Sequence, residues 1–399
     1  MHALDALIRL DHDEKARLGV VHTPGEIAQQ PKAWQETYAI IASQQGELQP
    51  FVSKALAQPA NSAVHMAGAG TSHFVGESVR NVLSAGWRTS ATPVASTEIV
   101  LSPETLIAPQ AKMLISFARS GQSPEGNAAL QMVHALRPDV CHLAVTCNRD
   151  GELARLAKEL GPQGYALVLP DMTNDKGLAM TSSYSSMVIA AQALALLPNL
   201  TAYEPILQQL VEAAEHVMAK YADEAKRLAG LDFSRAVYIG NRDLYGVALE
   251  SHLKMQEMTA GRVLCKAEST LGLRHGPMAA MDEQSLVVMF MSADPYVRQY
   301  EMDLLRGIAD QQLGQARVVI ADQASAELQA CADLVVELAP NGQPIPDLYK
   351  APAAIVFPQL LALFRSLAEG LQPDAPSPGG VIHRVVQGVR IYPYSKEAK

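Results

Sequence analysis

The chain is predicted to be an α/β protein with two doubly wound parallel sheets in tandem, an N-terminal helical segment before them and a C-terminal tail packing back. Two patterns carry that prediction. Short apolar runs alternate with helical stretches, and strands that are apolar on both sides belong to parallel sheets covered on both faces. The chain also matches itself at one constant offset. Residues 63–66 fall on 236–239, Glu77-Ser78 on Glu250-Ser251, Leu114-Ile115 on Val287-Val288 and Phe117 on Phe290. At 399 residues, two domains of ordinary size are the default.

Residues 1–45 read as helical pieces broken by Thr23-Pro24-Gly25. The first domain is expected over 46–210. Its opening strand ends in Gly68-Ala69-Gly70-Thr71-Ser72 and runs into the helical stretch 74–83. A second apolar run, Met113-Leu114-Ile115, leads into a hydroxyl-rich turn, and runs at 143–145 and 166–169 supply further strands. The second domain is expected over 211–371, with strands at 318–320 and 334–338. A Pro/Gly-rich tail, 372–399, follows, and within it 381–394 resumes an apolar, β-rich pattern that should pack onto the body.

Hydrophobic residues at 48% and charged residues at 18% place the chain among globular proteins with a buried core. A formal net charge of -9 argues against nucleic acid and anionic membranes as partners, because both reward a basic surface. The four cysteines, Cys141, Cys147, Cys265 and Cys331, form no CxxC pair and read as reduced packing residues, so no metal site is expected. No charged, apolar leader opens the chain, and the longest greasy run, 353–364, is broken by Pro358 and Gln359. A soluble cytoplasmic protein is the expectation.

In such sheets ligands bind beyond the carboxyl ends of the strands, and both Ser-rich loops fall there. In the loop from Ser116 to Gly126, Ser120 and Ser123 offer hydroxyls, Gly121 lets the backbone approach an anion, and a helix beginning near Pro124 turns unpaired N–H groups toward it. Arg119 adds a fixed charge that phosphate accepts in a bidentate manner. Gly70, Thr71 and Ser72 form the second loop. The third glycine of a dinucleotide fingerprint is replaced by His73, and no Gly-Lys-Ser/Thr follows, so the pair of loops suits a compact phosphate monoester better than a nucleotide. The second half has Gly240-Asn241-Arg242-Asp243 and Ser292-Ala293-Asp294-Pro295 at the matching places and is expected to do something other than hold phosphate.

Glu250, Lys254 and Glu257 stand at i, i+4 and i+7 of a helix, on one face. A solvated face with two ion pairs is one reading. The edge of a buried cleft is the other, because Leu249, Leu253 and Met258 place the apolar stripe beside these charges. His275, followed by Gly276-Pro277, is expected to project from a turn or helix end, either as a structural histidine or as an acid/base group.

These loops resemble those of the sugar isomerase (SIS) domain. The segment Ala248-Leu249-Glu250-x-x-Leu253-Lys254-x-x-Glu257 with Leu273-Arg274-His275-Gly276-Pro277 is similar to the isomerase half of glucosamine-6-phosphate synthase, as is Glu26-Ile27-Ala28-Gln29-Gln30-Pro31 to that enzyme's lead-in. Nothing resembling its cysteine nucleophile precedes Glu26. The nearer match is the AgaS group of galactosamine-6-phosphate deaminase/isomerases, also described as tagatose-6-phosphate ketose/aldose isomerases. The residues that point there are Phe117-Ala118-Arg119-Ser120-Gly121-x-Ser123-Pro124-Glu125, Pro376-Ser377-Pro378 and Arg384-Val385-Val386-Gln387-Gly388-Val389.

The resemblance implies an enzyme that binds a phosphosugar through Gly70, Thr71, Ser72, Arg119, Ser120, Gln122 and Ser123. Glu257 would move a proton between C1 and C2, and His275 would help open the ring. No cofactor is implied, and the site is shared within a homodimer or larger assembly. The synthase's C-terminal lysine is absent; His383-Arg384 stands there, so Lys254, Arg384 or His383 would stabilise the intermediate. The implied reaction is isomerising deamination of galactosamine 6-phosphate to tagatose 6-phosphate and ammonia. Plain isomerisation of a non-amino hexose 6-phosphate, or non-catalytic phosphosugar sensing, are the alternatives.

Overall fold

The structure is a computed structural model and describes residues 1–394; the last five residues of the expected tail lie outside them. Among the described residues, ten strands form two five-stranded sheets. The first contains β1 (Ala63–Gly68), β2 (Ser90–Ala95), β3 (Ala111–Ala118), β4 (Cys141–Thr146) and β5 (Gly164–Val168), in the order β2-β1-β3-β4-β5. The second contains β6 (Arg235–Ile239), β7 (Leu264–Glu268), β8 (Ser285–Phe290), β9 (Ala316–Ala321) and β10 (Leu334–Glu337), in the order β10-β9-β8-β6-β7. Every pairing is parallel, and both sheets have the same order when each is counted from its own first strand. β1, β4 and β8 are buried at every residue, as parallel strands covered on both faces must be.

The sheet order positions the candidate loops. Going outward from β1, the chain runs one way to β2 and the other way to β3, so the loops leaving β1 and β3 flank the point where the order reverses. Gly70-Thr71-Ser72 and the Arg119-to-Ser123 turn are those two loops. In the other sheet the loops after β6 and β8, at Asn241-Arg242 and 291–294, have the same place.

The chain divides into two compact units, each discontinuous in sequence. One comprises 36–174, 186–200 and 382 onward, and holds β1–β5; the other comprises 1–35, 175–185 and 201–381, and holds β6–β10. These are not contiguous spans such as 46–210 and 211–371, and the hydrogen bonds of residues 175–185 give the reason. Glu26 accepts from the backbone N–H groups of Lys176 and Gly177. Asp175 accepts from the Thr181 and Ser183 N–H groups, both at 2.8 Å, and from the Ser182 and Ser183 hydroxyls, which caps the following helix. Trp34 donates to Ser185, and Gln30 donates to Gln359, at 2.8 Å each. Residues 175–185 therefore belong with the N-terminal helices.

Within this second unit the helical stretch Ala351–Ala368 is long and apolar enough to cross a membrane, and 89% of it is buried, as a core helix is. The tail departs from its expected β character. No strand is formed in 381–394, where Val381 and Tyr392 are exposed and Arg384 is anchored by hydrogen bonds to Arg119 and Asn174. A ladder needs a neighbouring strand, and neither sheet pairs with these residues.

Burial, first, and then Asp175 push the Glu26 carboxyl up to about 7, against the Lys176 and Gly177 N–H groups. Because that value lies above the 4.5 of an ordinary glutamate, the native state holds the extra proton. Its stabilising contribution is complete below about pH 4.5 and is lost as pH rises toward 7. The expected outcome is an unfolding free energy that falls across this window, with the fall flattened in Glu26→Gln; equal slopes for both proteins in denaturant titrations would refute the assignment.

Candidate active site

In the β1–β5 unit the first loop is shaped by two glycines. A β-carbon on Gly68 would sit 2.3 Å from the Ser72 carbonyl carbon, so the turn out of β1 closes only around glycine. Gly70, at φ +55° and ψ -127°, adopts a backbone that side chains disfavour and precedes the Thr71–Trp87 helix. The N-terminal end of that helix faces beyond the strand ends, with Thr71 and Ser72 buried.

The second loop is equally constrained. Gly121 has φ +63°, and its carbonyl accepts from Leu153 N–H at 3.0 Å. Ser120 Oγ accepts from Gln122 N–H at 3.2 Å, and the Ser120 carbonyl accepts from Asn148 Nδ2 at 2.8 Å. Ser123 caps the Pro124–Leu136 helix, accepting from Gly126 N–H and donating to Glu125 at 2.7 Å. Gln122 is exposed. Arg119 is buried, and its Nη2 donates to the Arg384 carbonyl at 2.8 Å, while Arg384 Nη2 reaches Asn174 Oδ1 at 2.6 Å. Arg119 therefore ties this loop to the tail in addition to any anion it meets. His383, the neighbouring tail residue, is exposed.

In the β6–β10 unit the Asp243–Met258 helix carries the other candidates. Lys254 Nζ lies 2.5 Å from Glu257 Oε2 and 3.4 Å from Glu250 Oε1. Glu250 and Lys254 are 0% and 1% exposed, whereas Glu257 keeps 23% of its side-chain surface open. This removes the solvated-face reading. The helix turns its charges inward beside buried Val247, Ser251, Met255 and Met258, and the lysine neutralises a carboxylate that burial would otherwise penalise. Glu257 is the accessible carboxylate of the set, with a buried ammonium holding its geometry.

Glu250 is the residue that spacing alone did not single out for a role, because an i, i+4 ion pair reads the same on a surface as in a core. His275 stands in the turn after the Thr270–Leu273 helix, exposed, just before Gly276 at φ +117°.

The strand-end loops of this second unit are occupied from within. Ser292 N–H donates to Glu301 at 2.9 Å and Ala293 N–H to Asp347 at 2.8 Å; Asn241 Nδ2 reaches Glu301 at 2.8 Å. Lys350, buried, pairs with Asp322 at 2.9 Å and Asp347 at 3.0 Å. Burial raises the Glu301 carboxyl, with the Ser292 and Asn241 donors opposing; the Asp347 carboxyl is pulled down against burial by Lys350 and the Ala293 N–H. The strand-end donors of this unit thus meet the protein's own carboxylates.

The SIS domain model matches residues 232–368. The AgaS protein of Streptomyces coelicolor is 37% identical over 93% of this chain and 95% of its own. The chain belongs to the AgaS family. Another AgaS relative, from Shewanella sp. and named D-galactosamine-6-phosphate deaminase, is 32% identical over 98% of this chain and 97% of its own. A solved structure, the tagatose-6-phosphate ketose/aldose isomerase from Escherichia coli, superposes with a TM-score of 0.83 at 31% identity, covering 93% of this chain and 96% of that one.

Within this AgaS chain, Lys254→Met leaves Glu250 buried without its cation and should lower the unfolding free energy by about 3 kcal/mol. Adding Glu250→Gln should restore more than half of that loss. Strictly additive losses for the two changes in urea titrations would sink the pairing.

Proposed function

We propose that the chain is an amino-sugar-phosphate deaminase/isomerase acting on galactosamine 6-phosphate. The observation that carries this reading is the Glu257 carboxylate, partly open and fixed by buried Lys254, in a chain similar over its full length to relatives that bear the deaminase name. The phosphate is assigned to Gly70, Thr71, Ser72, Ser120 and Ser123, with Arg119 and Gln122 beside them. Glu257 takes the proton from C2 of the open-chain sugar, leaving an enolamine, and returns it to C1. The resulting ketimine at C2 is hydrolysed by water, which releases ammonia and tagatose 6-phosphate. Both proton transfers use one carboxylate, so the base is regenerated in each turnover.

Lys254 balances the charge that develops as Glu257 is protonated and released. His275 is assigned to ring opening by the family resemblance. Its exposed turn, close in sequence to exposed Leu271, supports the accompanying proposal of a homodimer or larger assembly with shared sites. A second reading, isomerisation of a hexose 6-phosphate without nitrogen, is favoured by the name of the solved relative. The same base and phosphate loops serve both.

Galactosamine 6-phosphate supplied to the protein should yield ammonia and tagatose 6-phosphate in equal amounts. Interconversion of galactose and tagatose 6-phosphates with no ammonia above background would replace deamination with the second reading. Glu257→Gln should cut kcat by about a hundredfold or more while leaving phosphosugar binding in place; turnover retained in that protein would exclude Glu257 as the base.

A further inference from the structure

His73 is a motif residue the reading above leaves without a task. It is the third residue of the Thr71–Trp87 helix, directly after Gly70-Thr71-Ser72, and its backbone N–H donates to the Gly70 carbonyl at 2.9 Å. Side chains in a helix lean toward its N-terminus, the end at which this loop lies. Its Nε2 lies 3.7 Å from Glu77 Oε1, and the other Glu77 oxygen lies 3.5 Å from Arg80. Its Nδ1 is buried and has no hydrogen-bond partner among the described residues. With a carboxylate facing Nε2, the proton of the neutral ring belongs on Nε2 and Nδ1 keeps a bare lone pair.

Burial holds the His73 pKa below its usual value, and Glu77 opposes that effect. The strands packed against this helix supply little further charge: His65 on β1 accepts from Ala108 N–H at 3.1 Å, Lys112 on β3 pairs with Asp139 at 3.0 Å, and β2 carries no ionisable side chain. A phosphate monoester brings nearly two negative charges, and the loop's own donors are neutral hydroxyls and amides.

We propose that His73 reads the phosphate group: when the dianion occupies the Gly70-Thr71-Ser72 loop, Nδ1 takes a proton from solvent and donates it as a charge-assisted hydrogen bond. Glu77 stabilises the resulting imidazolium through Nε2–H. This makes His73 the residue that favours phosphorylated over unphosphorylated sugars, and it rests on the phosphate assignment of that loop but not on the reaction that follows.

The test uses the full chain and inorganic phosphate. Imidazole resonances followed by NMR between about pH 5 and 8 should show the His73 pKa rising by about one unit at saturating phosphate, a tenfold change in its proton affinity. Calorimetry in buffers of different ionisation heat should show proton uptake on binding. His73→Gln should lose that uptake and weaken phosphate binding by about tenfold at pH 7, with helix content unchanged by circular dichroism. Phosphate binding with His73 unmoved, or no phosphate binding, overturns the proposal. An unshifted His73 beside normal ammonia release leaves the deaminase reading standing; a shifted His73 with no ammonia release overturns only that reading.

Discussion

The turn from the first strand of each sheet into the helix behind it leaves no space for a β-carbon, and the geometry of both strand-end loops follows from that. On Gly68 the added carbon would meet Ser72 backbone at 2.3 Å, and on Gly240 it would meet the Leu244 carbonyl oxygen at 2.2 Å. Two residues later the backbone takes one conformation in both units: φ +55°, ψ -127° at Gly70, and φ +56°, ψ -124° at Arg242. Glycine accepts it freely, whereas an arginine held there stores strain of roughly 1–3 kcal/mol, which the surrounding helix and sheet must enforce.

With the same turn in place, the two units differ in what lies against their strand-end loops. In the β1–β5 unit the donors of the Gly70-to-Ser72 and Ser120-to-Ser123 loops lie beside hydroxyls and an exposed Gln122. In the β6–β10 unit Glu301 and Asp347 fold back onto the Ser292 and Ala293 N–H groups, and Lys350 balances them. A buried carboxylate with two or three donors satisfies those amides as well as an external anion would, without the entropic penalty of capturing one. The β6–β10 unit is therefore free to specialise in the ion pairs of its Asp243–Met258 helix.

That helix shows why burial decides chemistry here. Glu250 and Glu257 are joined through Lys254, yet the three range from fully enclosed to partly open. The enclosed end fixes the ammonium through low-dielectric pairing, and the open end presents a carboxylate whose position is set from behind. A flexible surface pair of the same composition would give neither a fixed direction nor a defined protonation partner.

Much of this was legible in the chain. The apolar runs at β1, β3, β4, β8 and β9, the glycines at the loop turns and the Ser/Thr hydroxyls follow from local rules: a fully buried strand needs apolar residues on both faces, and a tight turn needs glycine. The tail at 381–394 misled, because β-branched residues describe a preference that only a neighbouring strand can realise. The assignment of 175–185 to the N-terminal helices was equally hidden, since it rests on Glu26, Asp175 and Gln30, whose partners are distant in sequence. What the sequence determined by itself was the repeating strand-turn-helix grammar and the residue types at its loops, because those obey short-range sterics. Only the tertiary structure decided that Glu250 and Lys254 lie inside, that Arg119 holds the tail, and that one set of strand-end donors is already taken. Burial and charge pairing depend on which distant segments arrive, and no local pattern records that.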